Sequence, residues 1–135
     1  MKIRSGFVSL AVIATAFTGT VVASGTASAS SGGGCDTQSI SGESIKGCVS
    51  ASGAYLEPDG YVLQNAHCSS VDVSLVDDTT GNVVLTTTYS CALGHKGPIA
   101  YRGTNGHTYH TMMDLVPTAG GYWVTSLSPN EVFND

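Results

Sequence analysis

The sequence predicts an all-β protein, a small antiparallel β-sandwich or barrel of about six or seven short strands with two disulfides. Residues 30–135 contain 11 Thr and 10 Val but only 2 Lys, 1 Arg and 3 Glu, so residues that favour strands outnumber good surface helix formers. Turn-forming groups of Gly, Pro and Asp recur between short apolar runs. The even set of four cysteines in a short chain favours a disulfide framework.

The N-terminal segment, 1–29, is predicted to be a secretory signal peptide that does not belong to the fold. A start with two basic residues precedes an uncharged apolar run over 7–23, and an Ala-Ser-Ala motif ends the segment. Residues 30–34 contain only Ser and Gly and are expected to form a flexible leader. Residues 35–135 then form a single β domain, which we expect to be secreted and extracellular.

Charge and length exclude several classes of function. Residues 30–135 hold three basic residues against ten acidic ones, a formal net charge of −7, and this charge disfavours nucleic acid as a partner. Thr and Gly dilute the N-terminal apolar run, so we expect no membrane association after signal cleavage. The chain is too short for an enzyme domain built as a (β/α)8 barrel or a doubly wound sheet.

Three turns divide the predicted strands into hairpins. Each turn combines Pro or Asp with a following Gly, the residues that type I turns favour. The turns lie at 57–60, 78–81 and 117–121. A further short strand is expected near 99–101, within the Gly-punctuated stretch 94–106.

The hairpin around the second turn shows the clearest alternation of apolar and polar residues. Pairing of Asp78 with Asn82 places the apolar residues on one face and the polar residues on the other. The opposed pairs on the apolar face are Val71 with Tyr89, Val73 with Thr87, and Leu75 with Leu85. The polar face carries Asp72, Ser74, Thr86 and Thr88.

No motif of a known catalytic type occurs in the chain, so we expect neither enzymatic activity nor a cofactor. The nucleophile elbow G-x-S-x-G, the zinc-protease motif H-E-x-x-H and the phosphate loop are all absent. His107 and His110, with Asp114 nearby, are the nearest approach to a metal-ligand set. Residues three apart on a strand point to opposite faces, so we expect no metal site there.

The residues that flank the first predicted turn are the candidate binding site. Aromatic anchors on a rigid turn are typical of protein interfaces. The candidate residues are Tyr55, Leu56, Glu57 and Tyr61. In the alternative interpretation, the two tyrosines and the leucine cover the core of the hairpin. A second alternative is a sugar-stacking face formed by Tyr101, Tyr109, Tyr122 and Trp123.

All four cysteines are predicted to form disulfides, and four cysteines allow three pairings. Cys48 and Cys68 flank the first predicted hairpin on the same face, and a small bulge would bring them within bonding distance. The register of the second hairpin places Cys68 and Cys91 on opposite faces. We therefore expect a Cys48–Cys68 bridge and a Cys35–Cys91 bridge.

The order of these features along 48–116 resembles that of the small secreted α-amylase inhibitors of the tendamistat type. The shared features are Cys48-Val49, Tyr55 near a hairpin tip, Cys68, a valine-alternating strand, the turn 77–81, Cys91 and Gly106-His107. The resemblance implies a two-disulfide antiparallel sandwich that blocks an enzyme's cleft with a tripeptide of its first hairpin. Tyr55-Leu56-Glu57 occupies that position here, and a Cys48–Cys68 bridge matches the family's first bridge.

These expectations converge on a small secreted binding module stabilised by disulfides. Its partner is expected to be an extracellular protein or glycan, and inhibition of an extracellular glycosidase or protease is the leading hypothesis. One alternative is a structural or surface-associated secreted protein without catalytic activity. Another alternative is a small hydrolase.

Overall fold

A computed structural model describes residues 29–135, which form two antiparallel β-sheets and contain no helix. The predicted signal peptide lies outside the described residues except for Ala29. Among the described residues, therefore, no helix is long and apolar enough to cross a membrane. The predicted all-β fold with two disulfides is confirmed, although residues 29–135 form eleven strands rather than six or seven.

The strands are distributed between two sheets. Sheet I has the order β1-β11-β9-β5-β6, with β10 also paired to β9, and sheet II has the order β2-β3-β4-β7, with β8 also paired to β4. The bounds in chain order are β1 Ser31–Gly32, β2 Gly34–Ile40, β3 Glu43–Ser52, β4 Tyr55–Asn65, β5 Cys68–Asp77, β6 Asn82–Tyr89, β7 Gly94–Lys96, β8 Tyr101–Arg102, β9 Thr108–Pro117, β10 Val124–Leu127 and β11 Glu131–Val132.

The core lies between the two sheets and consists of two clusters of buried side chains. Alternating residues on β3, β4, β5 and β9 face this space, because successive strand residues point to opposite faces. The larger cluster contains Ile45, Val62, Val71, Val73, Met113, Leu115 and Val124. The second cluster contains Val49, Leu56, Leu75, Tyr109 and Phe133.

The second and third predicted hairpins are confirmed. In the β5–β6 hairpin, the predicted pairs Val71 with Tyr89, Val73 with Thr87, and Leu75 with Leu85 are all present. A bulge beyond Leu75 then pairs Asp77, rather than Asp78, with Asn82. The β9–β10 hairpin turns at 118–121, within the predicted range.

The first predicted turn, at 57–60, is wrong. The chain turns instead at Gly53 and Ala54, and β4 runs straight through 57–60. Gly53 adopts a positive φ of 55°, which a tight turn requires and a side chain disfavours. A turn at 57–60 would interrupt the inward alternation from Leu56 to Val62. On the side of β4 away from β3, Pro58 lies between the residues that pair with β8 and those that pair with β7, so its missing N–H interrupts no ladder.

The predicted disulfide pairing is also wrong, since the bridges join Cys35 to Cys48 and Cys68 to Cys91. Strand β2, which was not expected, pairs with β3 and places Cys35 directly opposite Cys48. In the true register of β3 and β4, Asp59 rather than a residue near Cys68 lies opposite Cys48. Cys91 follows the end of β6, where the chain has left the ladder, so the alternation of that hairpin does not govern its direction.

The segment predicted to be a flexible leader is paired to the rest of the fold. Ser31 and Gly32 form β1 against β11, and the Gly33 N–H donates to the Asn130 carbonyl at 2.7 Å. The chain then crosses to sheet II and begins β2 at Gly34.

Candidate binding face

The outward side of sheet II carries a continuous group of aromatic and charged side chains. Alternation along β4 turns Tyr55, Glu57, Asp59 and Tyr61 away from the core. Register pairing adds neighbours from three other strands, with Lys46 and His95 opposite Tyr61 and Arg102 opposite Tyr55. We call this group the tyrosine face; its members are Lys46, Tyr55, Glu57, Asp59, Tyr61, His95 and Arg102.

The structure brings together three of the four predicted binding residues. Tyr55 is 45% exposed, and Glu57 and Tyr61 are half-buried on the same face. Leu56 points the other way and is fully buried in the second core cluster. The prediction placed these residues in a loop, where neighbouring side chains can lie together at the tip. In a strand, successive side chains point to opposite faces, so Leu56 is separated from the other three.

Tyr61 is held between a histidine and a lysine. Its ring centroid lies 4.8 Å from that of His95, and the Lys46 Nζ lies 5.4 Å from the tyrosine ring centroid. On its other side, His95 Nε2 is 2.6 Å from Asp59 Oδ2. These contacts orient the half-buried tyrosine without covering it, so the ring is presented in a restricted position.

The basic residues of the described chain all belong to sheet II. Lys46 lies on β3, Lys96 on β7 and Arg102 on β8, and the strands of sheet I carry no Lys or Arg. Sheet I and its β5–β6 turn carry Asp72, Asp77, Asp78 and Asp114 instead. The two sides of the sandwich therefore differ in electrostatic character, and the tyrosine face is the less acidic side.

A concavity of about 490 Å³ adjoins the tyrosine face where the chain crosses between the sheets. Lys46, Asp59 and Tyr61 form one wall, together with the Cys35–Cys48 disulfide. The Glu131 side chain, only 4% exposed, lines the concavity from sheet I. Burial raises the pKa of Glu131 above its usual value of 4.5.

The histidines considered as metal ligands are each paired with a different aspartate. His107 Nδ1 lies 2.8 Å from Asp77 Oδ2, and His110 Nδ1 lies 2.9 Å from Asp78 Oδ1. Burial raises the pKa of Asp77, but hydrogen bonds from His107 and Thr80 and the His107 charge together bring it below its usual 3.8. Within residues 29–135, no three His, Cys, Asp or Glu side chains form a group that could hold a metal ion.

The proposed sugar-stacking set is not brought together as a surface. Tyr109 is buried in the second core cluster, and Tyr101 packs against that cluster. Tyr122 and Trp123 remain exposed, at 54% and 62%. Tyr109 faces the core because it alternates along β9 with the buried residues Thr111, Met113 and Leu115.

Sequence reasoning missed four members of the site, namely Lys46, Asp59, His95 and Arg102. Asp59 was assigned to a turn, although the alternation of Tyr55, Glu57, Asp59 and Tyr61 was a signal for one strand face. His95 is 36 positions from its partner Asp59, and nothing in the local sequence indicates that pairing. Comparisons with protein-family models, curated proteins and solved structures find no match for this chain.

Proposed function

We propose that this protein is a secreted binding module that inhibits an extracellular enzyme, a glycosidase or a protease, through its tyrosine face. The observation that carries the proposal is the presence of Tyr55 and Tyr61, with His95 and two basic side chains, on one outward sheet face. Tyrosine and arginine are enriched among the residues that dominate binding energy at protein interfaces. Two disulfides are typical of proteins that leave the cell.

The rigidity of the tyrosine face supports a role in binding. Its side chains stand on paired strands rather than on a loop, and the Cys35–Cys48 bridge ties the adjacent edge of the sheet. A partner therefore loses little free energy in ordering this surface. Small inhibitors with preorganised surfaces are among the tightest protein binders of their size.

The tyrosine hydroxyls are available to a partner. Among the described residues, the tyrosine hydroxyl that takes part in a hydrogen bond is that of Tyr109, which accepts from the Thr104 N–H. The hydroxyls of Tyr55 and Tyr61 have no such partner within residues 29–135. Each tyrosine thus offers an apolar ring and an uncommitted polar group, a combination that suits contact with a protein.

The test is an inhibition assay against a panel of extracellular enzymes. Amylases come first, because the chain resembles α-amylase inhibitors over 48–116, and secreted proteases follow. For each enzyme that is inhibited, Tyr55→Ala and Tyr61→Ala are expected to raise the inhibition constant about tenfold, because each removes an interface anchor. Tyr122→Ala is the matched control, since Tyr122 is an exposed tyrosine that lies at the β9–β10 turn, away from the tyrosine face.

Two results would contradict the proposal. The first is an absence of inhibition across amylases, other glycosidases and proteases at micromolar protein. The second is an inhibition constant that rises as much for Tyr122→Ala as for Tyr61→Ala, which would place the contact away from the tyrosine face.

A further inference from the structure

Glu131 is a buried carboxylate that takes part in no side-chain hydrogen bond or ion pair among residues 29–135. It lies on β11 opposite Tyr109, so its side chain points into the space between the sheets, and it is 4% exposed. The ion pairs among residues 29–135 are the three His–Asp pairs, and none includes Glu131. Burial raises the pKa of the Glu131 carboxyl group. In its ionised form this carboxylate therefore carries a desolvation cost that a cationic partner would offset.

A second acceptor lies beside this carboxylate. Glu131 Oε2 and the Val49 carbonyl oxygen lie 2.2 Å and 2.7 Å from the point that a Cβ atom on Gly33 would occupy. Only glycine fits at position 33, where φ is also positive at 70°. The two oxygens thus lie close together beside Gly33, and Val49 and Glu131 both line the concavity. Two neighbouring acceptors suit a ligand carrying N–H donors.

The surrounding charges favour a cationic ligand. Lys46 is the one basic residue that lines the concavity, and it stands over the Tyr61 ring rather than in an ion pair with Glu131. Asp59, the other carboxylate of the lining, is already paired with His95. A metal ion is a poor fit, because no third carboxylate, His or Cys of residues 29–135 joins the site.

We propose that Glu131, together with the Val49 carbonyl, is the anchor for a basic side chain of the partner, an arginine or a lysine inserted into the concavity. This inference rests on the proposed function and names the chemistry of the partner's contact. The volume of about 490 Å³ lies within the range of sites that enclose small ligands and accommodates a single long side chain. The aromatic ring of Tyr61 in the same wall suits the stem of such a side chain.

The test uses small probes and the whole purified protein. N-acetyl-argininamide and N-acetyl-lysinamide are titrated while NMR follows the backbone amides of Gly33 and Glu131. N-acetyl-citrullinamide, which has nearly the shape of the arginine probe without its charge, is the control ligand. We expect saturable shifts with at least one basic probe and a dissociation constant at least about tenfold weaker for the neutral probe.

Variants locate the anchor. Glu131→Gln keeps the shape of the side chain and removes its charge. It is therefore expected to raise the dissociation constant of the basic probe at least about tenfold. Asp72→Asn removes one charge from the outer side of sheet I and is expected to leave the affinity within about twofold. Comparison of the probes on the unmodified protein tests the ionic contact independently of any effect on folding.

Equal binding of the citrulline and arginine probes would overturn the inference, as would equal weakening by Glu131→Gln and Asp72→Asn. Displacement of the basic probe by millimolar Ca²⁺ but not by Na⁺ at equal ionic strength would also overturn the inference. That result would mean that the Glu131 and Val49 oxygens bind a metal ion. The probes involve no enzyme, so this result is separate from the inhibition assay. An enzyme inhibited equally by the unmodified protein and by Glu131→Gln would refute the anchor and leave the inhibitor proposal intact.

Discussion

The two outer faces of the sandwich use their polar side chains differently. On sheet I, the Thr88 and Thr125 hydroxyls donate to Asp72 and Asp114, each at 2.5 Å, and the two aspartates lie opposite each other on β5 and β9. These hydroxyl and carboxylate groups bind one another. On sheet II, the tyrosine face carries long aromatic and basic side chains, with the Tyr61 ring left half-exposed.

This difference separates a face that satisfies its own polar groups from one that leaves groups for a partner. Two of the three buried carboxylates of residues 29–135, Asp77 and Glu131, show the same contrast. Asp77 accepts hydrogen bonds from the Thr79 and Thr80 amides and contacts His107. Glu131 instead faces the concavity and has no hydrogen-bond or ion-pair partner in the described part of the chain. We infer that the first kind of group stabilises the fold and that the second serves binding at some cost in stability.

The largest expected change in stability is the difference between variants on the two sides of β4. Leu56→Ala removes a fully buried side chain from the second core cluster and is expected to destabilise the protein by about 2–5 kcal/mol. Tyr55→Ala, one position away on the exposed side, is expected to cost under about 1 kcal/mol. Chemical denaturation of both variants measures this difference. A large loss for Tyr55→Ala would mean that the tyrosine face is part of the core.

A smaller loss of stability is expected for Asp77, the buried carboxylate that is hydrogen-bonded within the fold. Asp77→Ala removes the acceptor for two turn amides and for His107, and is expected to cost about 1–3 kcal/mol. Asp78→Ala is the control, because Asp78 contacts only the exposed-side partner His110 and is expected to cost less than about 1 kcal/mol. Equal losses in the two variants would remove the distinction between these neighbouring aspartates.

The pH dependence of the Asp77 contribution follows from its lowered pKa. The folded state favours the ionised carboxylate, so this stabilisation is fully present above the usual pKa of 3.8 and is lost as pH falls through the lower folded value. The stability difference between the unmodified protein and Asp77→Ala should therefore shrink in denaturation experiments as pH falls below 3.8. A difference that stays constant down to pH 2 would contradict the charge contribution.

Glu131 should behave in the opposite way. Its raised pKa means that the folded state favours the protonated form, so the favourable contribution is present below pH 4.5 and is lost as pH rises through the folded value. Glu131→Gln is therefore expected to stabilise the protein at pH 7, by under about 1 kcal/mol, and to have less effect at pH 4. Destabilisation by this variant at pH 7 would show that the carboxylate has a structural partner.

The smallest effect is expected on the outer face of sheet I. Thr88→Val keeps the shape of the side chain and removes its exposed hydrogen bond to Asp72, so we expect a change within about 0.5 kcal/mol. Inhibition of any target enzyme should be unchanged. A marked loss of inhibition in Thr88→Val would assign binding to sheet I and reverse the comparison.

The sequence by itself determined the fold class and two of the three predicted hairpins. In the β5–β6 and β9–β10 hairpins, a turn of few residues joins strands with clear alternation, so neighbours along the chain also pair in space. The even number of cysteines likewise predicted that all four are bridged. These properties depend on local geometry and on composition, which the sequence contains directly.

Only the tertiary structure decided the first hairpin, the disulfide partners and the membership of the tyrosine face. The segment 53–60 holds two turn signals, and burial of Leu56 and Val62 against the other sheet selects the earlier one. Cys35 meets Cys48 because β2 adds to the edge of sheet II, and His95 reaches Asp59 through β7. Such contacts join distant segments, and their free energy depends on packing of the whole sandwich, which no local pattern records.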